Sequence, residues 1–374
     1  EYLMDCRVPF SDKSNWGVLE SHGLFAIGAY LMKCRGNASG EGVVGAAAYD
    51  TDAHDTAAHD TAATDTAAGL ARRGEAYVAE AVLRLVRELD IQIMDDGVQW
   101  EQSPMYHNEV LRCLLEVLRV AGQQGISLPL SLSEKARAMA LADLAWMKPD
   151  RTQPLNGDSD RTDLRDVFTP AAWILKDNRL RYAGYDRLDF ESVWDLGADA
   201  ALEYESMRSE TPECLFHVLE QSGNWCLRSG WDRNADLSIA GEDVLIDSGR
   251  YTYVDGSLRR QLKSSCAHNV PVVDWQEYTQ CTGSWDVKGR TAPAGQDWSQ
   301  KGPYTFLQGT HLGYLPAGVL VNRRIISIGT RIHVIADEFY GTGTHVLSVL
   351  QGGPVVWWGR RQNGAGGDSG VLSL

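Results

Sequence analysis

The spacing of apolar residues changes along this 374-residue chain, and that change restricts the fold more than any other feature. Up to about residue 209, apolar residues recur every three or four positions, the spacing of one face of an α-helix. From about residue 210, short β-branched segments are separated by Gly, Asp and Asn, which is typical of strands joined by turns. We therefore predict a helical domain over residues 1–209 and a β domain over residues 210–374.

Five helices are predicted in the first part. Amphipathic helices in series without a repeat of about 34 to 47 residues favour a helical toroid over a solenoid. Ser131 and Glu134 have the spacing of a capping box, which predicts a helix that begins just after Ser131. The predicted helices cover residues 14–31, 74–94, 106–121, 131–147 and 170–176.

A low-complexity tract built from Asp-Thr-Ala-Ala and Ala-His-Asp units interrupts the helical part. Such a composition cannot bury enough apolar surface to fold by itself. We predict that residues 50–68 form a surface insertion in the toroid domain.

Short strands without intervening helices dominate the second part, and this pattern predicts an antiparallel β-sandwich. Extended sugars often lie in clefts between two such domains. The predicted strands cover residues 243–247, 251–253, 270–274, 318–322, 325–328, 331–336 and 345–350.

Charge and composition narrow the functional classes. The net charge of −15 argues against nucleic acid and against an anionic membrane surface as partners. The 12 Trp and 14 Tyr side chains suit either core packing or sugar-stacking surfaces. No segment has membrane-spanning length and no signal peptide is present, but the chain begins at Glu1, so we interpret it as a fragment. The compartment stays open between bacterial cytoplasm, periplasm and secretion.

The segment Trp100-Glu-Gln-Ser-Pro-Met-Tyr-His107 contains the first group of candidate site residues. Ser103-Pro104 is a natural helix start, because Pro is favoured at the first helical position. Tyr106 and His107 then lie in the first turn, and Glu101 lies just before it. From spacing alone, this segment is either part of an active site or a helix cap with ordinary aromatic packing.

A reacting tyrosine suits the β-elimination of uronic-acid polysaccharides. In that reaction one group neutralises the uronate carboxylate, one removes the proton from C5, and one protonates the leaving oxygen. Asn, Arg or His can perform the first task, and Tyr or His the other two. A tyrosine has an unperturbed pKa near 10, so it needs cationic neighbours to act as the base.

Further candidates lie in two other segments. Asn15 and Glu20 lie near the start of an apolar helix, where polar residues are otherwise usually caps. Asp247 and His268 lie at the ends of predicted strands, where they suit metal ligands, active-site groups or structural residues.

These segments together resemble the heparinase II/III-like lyases in identity and in order. The resemblance covers nearly all of the chain except the low-complexity tract, and its most specific parts are Tyr-His at 106–107 and Ala-His-Asn at 267–269. It also includes Asn-Gly-Asp-Ser-Asp at 156–160, Arg-Ser-Gly-Trp at 228–231, Asp-Val-Leu-Ile-Asp at 243–247, His-Leu-Gly-Tyr at 311–314 and Arg-Arg at 323–324.

The resemblance implies an incomplete (α/α) toroid followed by an antiparallel β-sandwich. It implies that Asn15 neutralises the uronate carboxylate, that Tyr106 acts as the acid and in some members also as the base, and that His268 shapes the site. In members with a zinc site, Asp247 and His268 correspond to two ligands. The predicted substrate-binding residues are Glu20, Glu101, His107, Tyr253 and Asn269.

One segment departs from the family pattern. Members usually carry a Gly-His-x-His-Ala-Asp run before the Leu-Ile-Asp strand, but here residues 232–240 are short and contain no His. Two remaining ligands cannot complete a tetrahedral structural zinc site. We therefore predict a weak zinc site or none, with no cofactor required for certain.

The predicted function is a carbon–oxygen lyase that acts on a uronate oligosaccharide or polysaccharide. One alternative is an (α/α)-toroid glycoside hydrolase, with Glu20, Glu101 and Asp96 as candidate carboxylates. The other is an inactive, glycan-binding remnant of a lyase. The oligomeric state stays open.

Overall fold

The computed structural model describes residues 2–33, 67–233, 235, 250–284, 286–289, 291–329, 332–349, 359–361 and 368–370. The chain divides into two compact units, each formed by several stretches of sequence. The first unit contains residues 1–102, 106–144 and 164–210, and the second contains residues 103–105, 145–163 and 211–374. The predicted boundary between residues 209 and 210 stays a prediction.

Helices occupy most of the described residues before position 207. Each of the five predicted segments lies on a helix, so the periodicity argument is confirmed. These helices are α1 (Tyr2–Asp5), α2 (Asn15–Lys33), α3 (Ala67–Gln92), α4 (Pro104–Gln124), α5 (Leu130–Trp146), α6 (Arg165–Leu175), α7 (Asn178–Ala183), α8 (Phe190–Leu196) and α9 (Ala198–Ser206).

The starts of α5 and α6 both differ from the prediction. Helix α5 begins at Leu130, so Ser131 is already helical and the predicted capping box is wrong. The hydroxyl of Ser133 instead donates to the carbonyl of Leu130 at 2.8 Å. Helix α6 begins at Arg165 and contains Pro170 in its interior, although proline usually favours a first-turn position.

Helices α2 and α3 pack closely because small residues face each other. A Cβ atom added to Gly28 would lie 2.9 Å from the carbonyl oxygen of Gly74, and one added to Gly74 would lie 2.6 Å from that of Gly28. Val18, Phe25 and Leu85 are at most 1 % exposed and form part of the surrounding core. The pair of glycines therefore sets the separation of the two helices.

A buried carboxylate also lies between these helices. Glu88 is 0 % exposed, and its Oε1 accepts hydrogen bonds from Arg7 at 2.6 Å and from the Ser21 hydroxyl at 3.1 Å. Burial raises the pKa of Glu88, while these two partners oppose that shift. The arrangement fixes α3 to α2 and to the loop that follows α1.

The second unit is mainly antiparallel sheet. Its largest sheet has the strand order β6-β7-β8-β9, with Tyr304 opposite Ile328 and Arg323 opposite Asp337. The described strands are β1 (Phe216–Leu219), β2 (Asn224–Leu227), β3 (Pro271–Val273), β4 (Gln280–Cys281), β5 (Val287–Lys288), β6 (Pro293–Lys301), β7 (Tyr304–His311), β8 (Val319–Ile328), β9 (Ile332–Gly341), β10 (Leu347–Val349), β11 (Gly359–Arg361) and β12 (Asp368–Gly370). A short helix, α10 (Ser257–Leu262), precedes β3.

The predicted strands are confirmed in part. Segments 270–274, 331–336 and 345–350 overlap β3, β9 and β10, and segments 318–322 and 325–328 form the single strand β8. The strand predicted at 251–253 is wrong, because Tyr251 has a left-handed φ of 58° and the chain turns there. The segment 243–247 lies outside the described residues.

The predicted insertion at 50–68 lies outside the described residues except for Ala67 and Ala68, which begin α3. Among the described residues, no helix combines the length and the apolar character needed to cross a lipid bilayer.

We expect Gly28→Ala to lower the free energy of unfolding by about 1–3 kcal/mol, because the added methyl group overlaps the backbone of Gly74. Gly122→Ala in α4 is the matched control, since nothing lies within 4 Å of its added Cβ. The control should raise stability by up to about 1 kcal/mol through helix propensity. Thermal unfolding of both variants measures the difference, and equal shifts would contradict the close packing of α2 and α3.

Candidate active site

Tyr106 lies in the first turn of α4, as the sequence predicts, because that helix begins at Pro104. A helix start leaves backbone N–H groups without partners inside the helix. The N–H of Met105 donates to the hydroxyl oxygen of Ser159 at 3.1 Å, and the hydroxyl groups of Ser103 and Ser159 are also 3.1 Å apart. The backbone that leads into half-buried Tyr106 is therefore held by two serines.

Three predicted site residues are linked through Gln99, which is fully buried between α3 and α4. The side-chain amide of Gln99 donates to Glu101 Oε1 at 3.1 Å, and the backbone N–H of Asn15 donates to the same oxygen at 3.3 Å. The backbone N–H of Gln99 donates to His107 Nδ1 at 3.2 Å. The structure therefore brings Asn15, Glu101 and His107 into one hydrogen-bonded group.

Within that group, His107 is a framework residue. Its side chain is 1 % exposed, and Nδ1 accepts from Gln99. Its Nε2 lies 3.1 Å from the carbonyl oxygen of Met139, to which it donates as the neutral tautomer. Burial lowers the pKa of His107 to about 4, so the ring is neutral near pH 7. Both ring nitrogens already bond to the protein, and the predicted substrate contact of His107 stays a prediction.

Glu20 lies apart from the Gln99 group, although it is on the same helix as Asn15. Its Oε1 accepts a hydrogen bond from the backbone N–H of Val8 at 3.1 Å. Five residues along a helix turn the side chain well away from the position of Asn15. Glu20 therefore holds the segment before α2, and its predicted contact with substrate stays a prediction.

A polar loop at residues 156–160 organises the second unit. Asp158 accepts from the guanidinium group of Arg259 at 2.7 Å, and Arg259 is 1 % exposed. Asp160 pairs with Arg250, whose Nε lies 2.9 Å from Asp160 Oδ1. Together with the contact of Ser159 to Met105, three consecutive residues join the start of α4 to the segment 250–259.

The predicted binding residue Tyr253 lies in that segment. The guanidinium carbon of Arg250 lies 4.5 Å from the centre of the Tyr253 ring, and that of Arg259 lies 5.6 Å from it. Arg259 also donates to the carbonyl oxygen of Arg250 at 2.8 Å. Two cations therefore fix a half-buried tyrosine by cation–π contacts.

His268 and Asn269 follow a short 3₁₀ helix, Ser265–Ala267, and both are half-buried. The backbone N–H of His268 donates to the carbonyl of Ser265 at 3.2 Å. The carbonyl of Asn269 accepts from Arg323 Nη1, and Arg323 also forms a two-pronged ion pair with Asp337 at 2.7 and 2.8 Å. Arg323 therefore fixes the Ala-His-Asn segment to β8 and β9.

The predicted zinc ligands have different outcomes. Asp247 lies outside the described residues, and so does most of the short interval at 232–240. In the part of the chain that the structure describes, no group of three or more His, Cys, Asp or Glu side chains is arranged to hold a metal ion. Zinc at Asp247 and His268 stays a prediction, and the chemistry below does not depend on it.

Three residues that position the site had no assigned role from the sequence: Gln99, Ser159 and Arg323. Ser159 and Arg323 lie within motifs that carry the family resemblance, so a signal for them was present. Ser159 and its partner Met105 are 54 residues apart in sequence, and so are Arg323 and its partner Asn269. Gln99 gave no signal, because a buried glutamine looks like a loop residue in sequence.

We expect His107 to make stability depend on pH. The folded state holds the pKa of His107 near 4, whereas the unfolded value is near 6.5, so the unfolded chain binds an extra proton between these values. This contribution is complete above pH 6.5 and is lost as the pH falls towards 4, amounting to at most about 3 kcal/mol. Urea unfolding from pH 7 to pH 4 measures it.

His107→Gln is the control for that measurement, since it removes the titrating group. His22 does not interfere, because its pKa is raised to about 10 by contacts with Cys113 and Glu116, so its contribution changes above pH 6.5. The variant should be less stable at pH 7 and should lose less stability on acidification. An unchanged slope would contradict the buried neutral state of His107.

We expect Arg323→Met to loosen the Ala-His-Asn segment, because the backbone carbonyl of Asn269 loses the hydrogen bond from Arg323. Amide hydrogen exchange over residues 264–270 should become faster by about tenfold or more. Arg324→Met is the matched control on the same strand, since Arg324 pairs with Glu338 and Gln308 instead. Equal exchange in the two variants would show that Arg323 does not position this segment.

Two protein-family models match the chain. The model described as "Heparinase II/III N-terminus" matches residues 71–182, and the model described as "Heparinase II/III-like, C-terminal" matches residues 234–356. Together they cover more than half of the chain.

Curated relatives agree with these matches. A heparin-sulfate lyase of Pedobacter heparinus is 27 % identical over 159 residues, which are 41 % of this chain and 21 % of that protein. A heparin-sulfate lyase of Bacteroides stercoris is 20 % identical over 288 residues, which are 68 % of this chain and 39 % of that protein. The chain thus spans well under half the length of the curated relatives it matches.

Solved structures establish the fold. A heparinase III gene product has a TM-score of 0.68 and 15 % identity, covering 96 % of this chain and 50 % of that one. The heparan sulfate lyase from Pedobacter heparinus has a TM-score of 0.63 and 19 % identity, covering 92 % of this chain and 48 % of that one. This likeness confirms the predicted toroid followed by an antiparallel β-sandwich. With both family models matched and this fold, the chain belongs to the heparinase II/III family.

Proposed function

We propose that the chain carries the catalytic part of a polysaccharide lyase that cleaves a uronic-acid-containing glycosaminoglycan by β-elimination. The observation that carries the proposal is the fixed start of α4, where Ser159 holds the backbone directly before Tyr106. Backbone dipoles at a helix start favour negative charge, which suits a tyrosine that exchanges a proton. Membership of the heparinase II/III family supports the same reaction.

The proposed reaction balances without a cofactor. A base removes the proton from C5 of the uronate, the electron pair forms the C4–C5 double bond, and the C4–O4 bond breaks. The departing oxygen takes a proton and becomes a hydroxyl group of the released sugar. In this proposal Tyr106 supplies the proton to that oxygen, and it also removes the C5 proton when both lie on the same side of the ring.

Asn15 is the proposed partner for the uronate carboxylate. The backbone N–H of Asn15 donates to Glu101. The residue is 9 % exposed, so only a small part of Asn15 reaches solvent. An amide that donates to the carboxylate stabilises the negative charge that develops when C5 loses its proton. His268 and Asn269, in the segment that Arg323 fixes, are further proposed substrate contacts.

The hydrolase alternative needs two available carboxylates, and the described contacts do not favour it. Glu20 accepts from the backbone N–H of Val8, and Glu101 accepts from Asn15 and Gln99. The third candidate, Asp96, accepts from the backbone N–H of Val98 at 3.1 Å. All three carboxylates thus stabilise local backbone structure. An inactive remnant would have the same fold but no turnover. Formation of an unsaturated product distinguishes a lyase from such a remnant.

The proposed substrate class follows from the relatives, two of which are named heparin-sulfate lyases. Heparan sulfate is therefore the first substrate to test. Heparin, hyaluronan, chondroitin sulfate and alginate complete a panel of uronate polymers, because each contains a carboxylate next to the carbon that loses its proton.

We expect the chain to form an unsaturated uronate product, detected by ultraviolet absorbance and by mass spectrometry, from at least one member of this panel. Tyr106→Phe should reduce the rate by about 100-fold or more, because it removes the proton-transferring hydroxyl group and little else. Binding of the substrate should change far less than the rate.

Tyr304→Phe is the matched control, since Tyr304 lies at the start of β7 and is 56 % exposed. Its rate should equal that of the parent. A parent that binds glycan without forming any unsaturated product would favour the inactive remnant, and a product without a double bond would favour a hydrolase.

A further inference from the structure

A cavity in the second unit has no role in the reaction described above. Its volume is about 350 Å³, and it lies beside the end of α10 and strand β4. Ligand pockets usually measure about 300–1,000 Å³, so this cavity suits one sugar ring or its substituent and not a longer oligosaccharide. Its polar lining includes Arg260, Lys263, Ser264, Glu277, Thr279 and Gln280.

Lys263 supplies the main charge for a ligand. Its ammonium group donates to the carbonyl oxygen of Ser284 at 3.2 Å, and the residue is half-buried. An ammonium group has three N–H donors, so this contact holds the side chain in place while leaving donor capacity for a ligand. Arg260 is more exposed and forms a two-pronged pair with Asp255, so its charge is already largely neutralised.

Glu277, the carboxylate in the lining, already accepts hydrogen bonds from the protein. Glu277 accepts two hydrogen bonds from the backbone N–H of Ser265, at 3.1 and 2.8 Å, and one from the Ser265 hydroxyl at 2.7 Å. These donors disperse its negative charge, and a carboxylate held in this way competes poorly for Lys263. The cavity therefore favours an anion with several oxygen acceptors.

The position of the cavity connects it to the candidate site. Lys263 and Ser264 come directly before the 3₁₀ helix Ser265–Ala267, and His268 follows that helix. The bonds from Ser265 to Glu277 fix the same short helix from the cavity side. A group bound to Lys263 thus lies on the segment that leads to His268.

We infer that this cavity is a subsite for one anionic oxygen group, a sulfate ester or a carboxylate, of the glycan. The inference rests on the proposed function for the identity of the glycan. It adds a residue, Lys263, that selects among anionic glycans without touching the reacting atoms.

The test measures binding of size-matched tetrasaccharides in the Tyr106→Phe background, so that turnover does not consume the ligand. One tetrasaccharide is from heparan sulfate, and the other is its unsulfated, N-acetylated form. Lys263→Gln should weaken binding by about 3- to 10-fold, the size of one charge-assisted hydrogen bond. A loss confined to the sulfated ligand identifies a sulfate subsite, and an equal loss for both identifies a carboxylate subsite.

Two further variants separate charge from folding. Lys263→Arg keeps the positive charge and should retain most of the binding, even if both Lys263 variants alter the contact with Ser284. Lys301→Gln removes a charge at the exposed end of β6 and should bind as the parent does. Unchanged binding by Lys263→Gln, or an equal loss in Lys301→Gln, would overturn the subsite.

Failure of the subsite and failure of the proposed reaction give different results. If the parent forms unsaturated product while Lys263→Gln binds both tetrasaccharides normally, the subsite is wrong and the lyase assignment stands. If the parent forms no product but binding depends on Lys263, the subsite stands and the lyase assignment is wrong.

Discussion

Three consecutive side chains, Asp158, Ser159 and Asp160, connect the start of α4 to the segment 250–259. Each has a different partner: the buried guanidinium of Arg259, the start of α4, and Arg250. Because Arg259 is 1 % exposed, removing Asp158 would leave a charge without its partner in a place that water reaches poorly. Because breaking the pair of Asp158 and Arg259 is costly, the loop at residues 156–160 stays fixed to the segment 250–259.

The same loop explains how Tyr106, the tyrosine proposed to transfer the proton, is placed without being buried in a core. A helix start is held in one position only when its first N–H groups have partners. Ser159 supplies one of them from a loop that is itself fixed by two arginines. The ion pairs of Asp158 and Asp160 thus fix the position of the backbone before Tyr106. The Tyr106 side chain itself is half-buried, so a ligand can contact it.

The helical part of the fold is largely readable from sequence, because helix periodicity is a local property. The start of α4 at Pro104 was predicted for a physical reason that holds in the structure. The wrong predictions are also local ones: Ser131 lies inside α5, and the chain turns at Tyr251, where a short segment between turn residues suggested a strand. In both cases the observed contacts are local but differ from the expected ones: Ser133 donates to the carbonyl of Leu130, and the N–H of Thr252 donates to the carbonyl of Arg250.

The site is less readable than the fold, because its decisive contacts join residues that are far apart in sequence. Asp160 meets Arg250 across 90 residues, and Asp158 meets Arg259 across 101. Spacing alone gives no reason to pair them. His107 illustrates the second difficulty: its position beside Tyr106 suggested a cleft residue, while its burial and its bond to Met139 make it part of the framework.

Net charge is a weak guide to the substrate of such a protein. At physiological ionic strength, charges separated by more than about 8 Å of solvent are largely screened, so the total of −15 scarcely acts on a glycan within a groove. What acts there is the local set of donors. Arg250 and Arg259 already pair with aspartates, and Arg323 pairs with Asp337, so each of these cations mainly supports structure. Lys263 differs because its described partner is a neutral carbonyl, which leaves its charge uncompensated. Under the proposed function, Lys263 is therefore the described side chain that we expect to recognise an anionic group of the glycan.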